Sequence, residues 1–148
     1  MLRDGVLRLL VFRLGTEMFG IELGGVHEVI DAPTVSPLPD APPGVLGVAV
    51  IRDMLVPVYD PRPVLQVGGE RIGALLLFQR DGRRVALAVD DVAQAMSTER
   101  EDIRPVPGAI GADTAGVLVG LVRRGRMLVA VLDADALMTA VQTVGERT

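Results

Sequence analysis

The chain has 148 residues, a net charge of −4, 49% apolar residues, one histidine and no cysteine. That is material for one domain, or two very small ones sharing a core, and it excludes disulfides and thiolate metal sites. Three phenylalanines and one tyrosine give no stacking platform, and the basic residues are scattered apart from Arg83-Arg84 and Arg123-Arg124-Arg126, so nucleic acid is not an expected partner. No window approaches the ~18 uninterrupted apolar residues of a membrane span. The start, MLRDGVLRLL, is broken by Arg3, Asp4 and Arg8 and lacks a small-residue cleavage site. The expectation is a cytoplasmic protein with no signal peptide and no direct membrane insertion.

In chain order, Leu7–Leu14 (LRLLVFRL) reads as a strongly apolar strand, turned by Gly15-Thr16-Glu17 into a second strand over Met18–Leu23. Gly24–Ile30 (GGVHEVI) fits either a single helical turn or an irregular crossing followed by a strand. Pro33 to Pro43 holds five prolines in eleven residues, which excludes a central strand and makes a rigid connector. Val48–Ile51 and Leu55–Tyr59 then form a hairpin through Arg52 and Asp53. Pro61 and Pro63 argue against a helix interior after Asp60, and Gly68-Gly69 marks a loop.

The second half restarts. Leu75–Phe78 follows Leu9–Phe12 by 66 residues, and Val85–Val89 follows Phe19–Leu23 by the same interval. The later hairpin Gly120–Asp133 (GLVRRGRMLVAVLD) follows Gly47–Asp60 (GVAVIRDMLVPVYD) by 73. A longer second connector, Ser97–Ala115, with a candidate helix cap at Ser97 or Thr98, accounts for the difference. Asp133–Val141 reads as a short helix capped by Asp133 with Leu137 and Val141 inward, and Gly145–Thr148 as a frayed tail. The expected organisation is an internal duplication, with copies at about 7–65 and 73–141, containing about eight to ten short strands. Neither copy is large enough for its own core, so two small β-barrels sharing an interface are the economical solution, with a β-sandwich as the alternative.

Catalytic constellations are missing from the pattern. His27 has no second His or Cys to complete a metal set. Ser36 and Ser97 sit in connector contexts, and Asp90-Asp91 reads as an acid pair in water. Gly24-Gly25 and Gly68-Gly69 lack the lysine and spacing of a phosphate loop. No cofactor is expected, and an enzyme is disfavoured.

The ordered set LVFRLGTEMFGIEL, GVHEVI, the proline-rich stretch to APPGVLGV, IRDMLVPVYD, VALAVDDV, EDIRPVPG and GLVRRGRMLVAVLD resembles the CheW family of chemotaxis adaptors, from about Val6 to Val141. The resemblance implies an all-β fold of two intertwined five-stranded SH3-like barrels with short helices, including a C-terminal one. It implies a non-catalytic scaffold that couples chemoreceptor signalling tips to the regulatory domain of a CheA-type histidine kinase at membrane-associated receptor arrays. By the same resemblance, Val26, Glu28, Gly47 and Arg52 are the receptor-binding residues, while kinase-contact residues stay unassigned. The chain departs from the family at the bend, where Val50-Ile51-Arg52-Asp53 replaces Asn-Leu-Arg-Gly, and after IRPVPG, where Ala109 replaces a bulky residue. Asp53 is expected to alter the bend and to compete for the donors of Arg52, which points to a specialised paralogue. A specialised non-flagellar pathway member and a small-molecule-binding β-barrel sensor are the alternatives.

Overall fold

The computed structural model describes residues 5–69, 71–106 and 116–146. The leading apolar run forms β1 (Val6–Leu14), which turns through Gly15 and Thr16 into β2 (Glu17–Glu22). The GGVHEVI stretch contains both expected alternatives in succession, a 3₁₀ turn at Leu23–Gly25 and the short strand β3 (Glu28–Asp31). The proline-rich connector crosses to the hairpin β4 (Val45–Ile51) and β5 (Met54–Tyr59), and a helical turn α1 (Arg62–Leu65) follows. The second half runs β6 (Ala74–Arg80), β7 (Arg83–Val89), β8 (Asp91–Glu99), a 3₁₀ turn at Arg100–Asp102, β9 (Leu118–Arg124), β10 (Met127–Leu132) and α2 (Ala134–Glu146).

Three local expectations need correction. Ser97 and Thr98 do not cap a helix; they continue β8, opposite Arg8 and Leu7 of β1, and the pairing with β1 outweighs a local cap. Pro61 and Pro63 do not prevent a helical turn, because they sit at its N-cap and first turn, where the missing N–H has no intrahelical role. The last helix is capped as expected, Asp133 Oδ1 accepting from the Ala136 N–H at 2.9 Å, but it continues beyond Val141 and takes in Gly145. Ala109 and the end of the tail lie outside the described residues.

The strands make two five-stranded sheets, β8-β1-β2-β10-β9 and β3-β6-β7-β5-β4. The second order becomes the first when every strand is moved on by five. Each sheet therefore combines one half's first hairpin with the other half's later strands. Two parallel contacts make this exchange, Val129–Leu132 on Met18–Ile21 and Val58-Tyr59 on Ala86-Leu87. The arrangement is consistent with two intertwined SH3-like barrels.

The exchange explains why the first strand of each half is apolar at nearly every position. In β1, Leu9 and Val11 enter one barrel interior, whereas Leu10, Phe12 and Leu14 enter the core shared between the sheets. In β6, Leu75 and Leu77 enter the other barrel, whereas Leu76 and Phe78 join the shared core. A strand buried on both faces loses the polar alternation of a half-exposed one. Phe12 and Phe19, directly paired across β1 and β2, stack with centroids 5.9 Å apart. Leu137, Met138 and Val141 of α2 seal the shared core.

Two related close approaches fix the connectors. Ser36 and Val48 exchange backbone hydrogen bonds of 2.8 and 2.9 Å, and Arg104 and Leu121 exchange two of 2.8 Å. The residue before each strand partner is glycine. A Cβ on Gly47 would lie 2.2 Å from the Ser36 carbonyl oxygen, and one on Gly120 would lie 2.6 Å from that of Arg104.

The β4–β5 bend has positive φ at both central residues, 51° at Arg52 and 65° at Asp53, the signature of a type I′ turn. The β6–β7 bend does the same with Asp81 and Gly82, at 52° and 76°. Asp53 thus keeps the tight bend instead of changing it, at a cost of about 1 kcal/mol relative to glycine. Asp53→Gly is expected to raise stability by about that amount in urea unfolding. A loss of stability would show that the Asp53 side chain holds the turn.

Candidate functional site

The candidate site grows from this bend. A type I′ turn places Arg52 at the tip of the β4–β5 hairpin, and β3 begins with Glu28 at the edge of the same sheet. Arg52 reaches across with two donors, Nε to Glu28 Oε1 at 3.1 Å and Nη2 to Glu28 Oε2 at 2.5 Å. This fork matches the planar guanidinium to both carboxylate oxygens. The bond to Arg52 holds the Glu28 carboxyl below its ordinary value, with His27 and Arg84 adding in the same direction, and the Arg52 guanidinium is raised. The pair therefore stays ionised throughout the neutral range. Two-thirds of the Arg52 side chain remains exposed, so the pair is a surface feature and not a core ion pair. Nε and Nη2 are engaged with Glu28, and Nη1 has no acceptor among the described residues.

Around the pair lies apolar surface. Val50, Met54 and Leu55 are 68%, 48% and 71% exposed, and Val50 and Leu55 are directly opposed across the hairpin. Beside them a cleft of about 300 Å³ runs between β3, the connector and β4, with Ile30, Ala49 and Leu75 on its walls. An ion pair with a spare donor, rimmed by exposed aliphatic side chains, suits a protein surface carrying both carbonyl or carboxylate acceptors and an apolar ridge.

Of the residues that the family resemblance points to, the structure joins Glu28 and Arg52 directly. Val26 is half-buried and packs on the shared core. Gly47 serves the close approach of Ser36 described above. The donors of Arg52 go to Glu28 and not to Asp53, because the type I′ turn and the barrel edge put the Glu28 carboxylate within the fork. The reason for a specialised role based on Asp53 therefore falls away.

Two features escaped the sequence reading. Val50, Met54 and Leu55 looked like ordinary strand residues. The available signal was that β4 and β5 are apolar on both phases of the alternation, so that one phase fills the barrel and Val50, Met54 and Leu55 remain exposed. The second is Asp90, read as solvated but in fact buried. Its carboxylate accepts from Arg62 Nη2, and the Arg13 guanidinium lies 3.7 Å away. Arg62 also donates to the Arg71 carbonyl at 2.5 Å and to Asp60 Oδ1 at 3.2 Å, while its Nε has no partner. Asp91 points outward, so the neighbours do face opposite ways; the error was to place both in water.

The fold and this site together define a class, a two-barrel β protein whose distinctive exposed chemistry is a forked ion pair and an aliphatic patch on one hairpin. Comparison with known proteins gives the family. The CheW-like domain model matches residues 8–142, and the chain belongs to that family. It is 27% identical to the chemotaxis protein CheW of Treponema pallidum, over 93% of this chain and 85% of the relative. It is 29% identical to CheW of Rhizobium meliloti, over 72% and 70% respectively. In fold it is similar to the crystal structure of scaffolding protein TtCheW from Thermoanaerobacter tengcongensis, with a TM-score of 0.73 at 22% identity, covering 85% of this chain and 83% of the other. Among the described residues, no helix is long and apolar enough to cross a membrane.

Proposed function

We propose that this protein is a non-catalytic adaptor of chemotaxis signalling, which couples chemoreceptor tips to a CheA-type histidine kinase within receptor arrays. Membership of the CheW-like family across residues 8–142 is the observation that carries this reading. The receptor tip takes the face formed by Arg52, Glu28 and the exposed Val50, Met54 and Leu55. Arg52 supplies directed donors, and the aliphatic surface supplies non-directional attraction once it is covered. The whole chain acts as one unit of two related copies, a reading supported by the five-strand shift that relates the sheets. Control of the kinase is positional. The adaptor shifts the kinase only to the extent that it contacts one kinase conformation better than another.

The test is co-sedimentation of purified protein with the kinase regulatory domain and with a receptor signalling fragment. Arg52→Ala is expected to weaken receptor binding about tenfold, or ~1.4 kcal/mol, while kinase binding stays within twofold or so of wild type. Unchanged receptor binding would remove Arg52 from the site. Failure of the wild type to bind either partner would remove the adaptor reading.

A further inference from the structure

The two halves differ around the buried Arg62. In the first half, the space between the end of β5, α1 and the start of β8 is filled by the Arg62 side chain, which is buried with Asp90. Sequence intervals of 66 and 73 residues carry its surroundings onto the second half. Phe12 becomes Phe78, Val58 becomes Val131, Tyr59 becomes Leu132, Asp60 becomes Asp133 and Leu65 becomes Met138. All five second-half residues line one open pocket of about 390 Å³.

At the corresponding positions both members of the buried ion pair have been replaced. Arg62 corresponds to Asp135, whose side chain is 94% exposed, and Asp90 corresponds to Gly24, which has no side chain. The aspartate that ends the preceding strand is retained as Asp133, and Glu22 stands at the wall where the first half has Ala88. Two cations also border the pocket, Arg80 and Arg100. Arg80 is already committed, donating to the Asp135 carbonyl at 3.0 Å and to Thr139 Oγ1 at 3.1 Å. The Asp135 carboxylate lies 3.6 Å from Arg80 Nη1 and Asp133 Oδ1 accepts from the Ala136 N–H, so Glu22 and the second Asp133 oxygen are the acceptors this wall offers.

We propose that this pocket is a socket for an arginine side chain presented by a protein partner. The first half shows what the scaffold accommodates, a buried arginine whose guanidinium donates to Asp90, to the Arg71 carbonyl and to Asp60 Oδ1. The second half offers the matching walls and Asp133, with Glu22 as an added acceptor, but supplies no arginine of its own at that position. The inference does not depend on the receptor face at Arg52 or on the identity of the partners proposed above.

The experiment is methyl NMR of the full chain, following Leu7, Val131, Leu132 and Met138 while capped single amino acids are titrated. N-acetyl-arginine-methylamide is expected to give saturable shifts of these methyls, and N-acetyl-glutamate-methylamide to bind at least about fivefold more weakly. The Gly24→Asp, Asp135→Arg double variant, which rebuilds the first-half pair, is expected to fill the pocket and abolish the arginine response. Gly24 has open space at its Cβ position, so a side chain can start there without a clash. If the double variant fails to fold, Glu22→Gln is expected to weaken the arginine probe at least about threefold. No saturable response to the arginine probe overturns the proposal. So does equal binding of N-acetyl-norleucine-methylamide, which would make the pocket merely apolar, or tighter binding of the glutamate probe, which would make it an anion site.

Discussion

Arg62→Ala and Asp90→Ala are each expected to lower the stability of the protein by about 3–5 kcal/mol, because each leaves the other's charge buried without its partner. Arg62 and Asp90 are both 5% exposed, and they link α1 after β5 to the β7–β8 junction. Asp90 also receives an ion-pair contact from Arg13 of β1, and its N–H donates to the Arg13 carbonyl at 3.0 Å. The cluster therefore ties together strands of both sheets. A double replacement, Arg62→Met with Asp90→Leu, is expected to return most of the loss, since the desolvation penalty disappears with the charges. Urea unfolding of the three variants decides the matter. Single variants within about 1 kcal/mol of wild type would mean that solvent reaches the cluster and screens it.

Gly47→Ala is expected to cost roughly 2–4 kcal/mol, the second large effect. The added methyl would sit 2.2 Å from the Ser36 carbonyl oxygen, on a residue with φ of 152°. The proline-rich connector would have to lift away and surrender the Ser36–Val48 bridge. Gly24→Ala is the matched control; with nothing within 4 Å of its added carbon, it is expected to change stability by only about 0.5 kcal/mol. A Gly47 variant as stable as that control would show that the connector moves freely. The same measurement separates two readings of Gly47. Weakened receptor binding by a Gly47 variant that remains folded would place it at the docking face, whereas loss in step with unfolding makes it a packing residue.

Strand positions were legible because they are local. Apolar runs such as Leu75-Leu76-Leu77-Phe78, turn residues such as Gly15, and the prolines from Pro33 to Pro43 act through backbone preferences that few contacts override. Ser97 and Thr98 mark the limit of that reasoning. Their capping propensity was real, but β1 offered a longer ladder, and the strand ran through them. The pairing of Glu28 with Arg52 was legible only as chemistry. Both residue types were visible, yet 24 positions separate them, and only closure of the sheet edges brings them to 2.5 Å.

The amino-acid sequence by itself showed an order of hairpin, crossing, connector and hairpin that recurs along the chain, the all-β class and the family. The order and the class follow from periodicity, turn chemistry and a repeated pattern along the chain, and the family from the resemblance of its ordered motifs. Tertiary structure decided which hairpin joins which sheet, that Asp90 is buried while Asp91 is not, and that Val50, Met54 and Leu55 stay exposed. The physical reason is that burial is a property of neighbours. An apolar outer face reads the same in sequence whether another strand covers it or it waits for a partner, and only the closed pair of barrels shows which surfaces remain open.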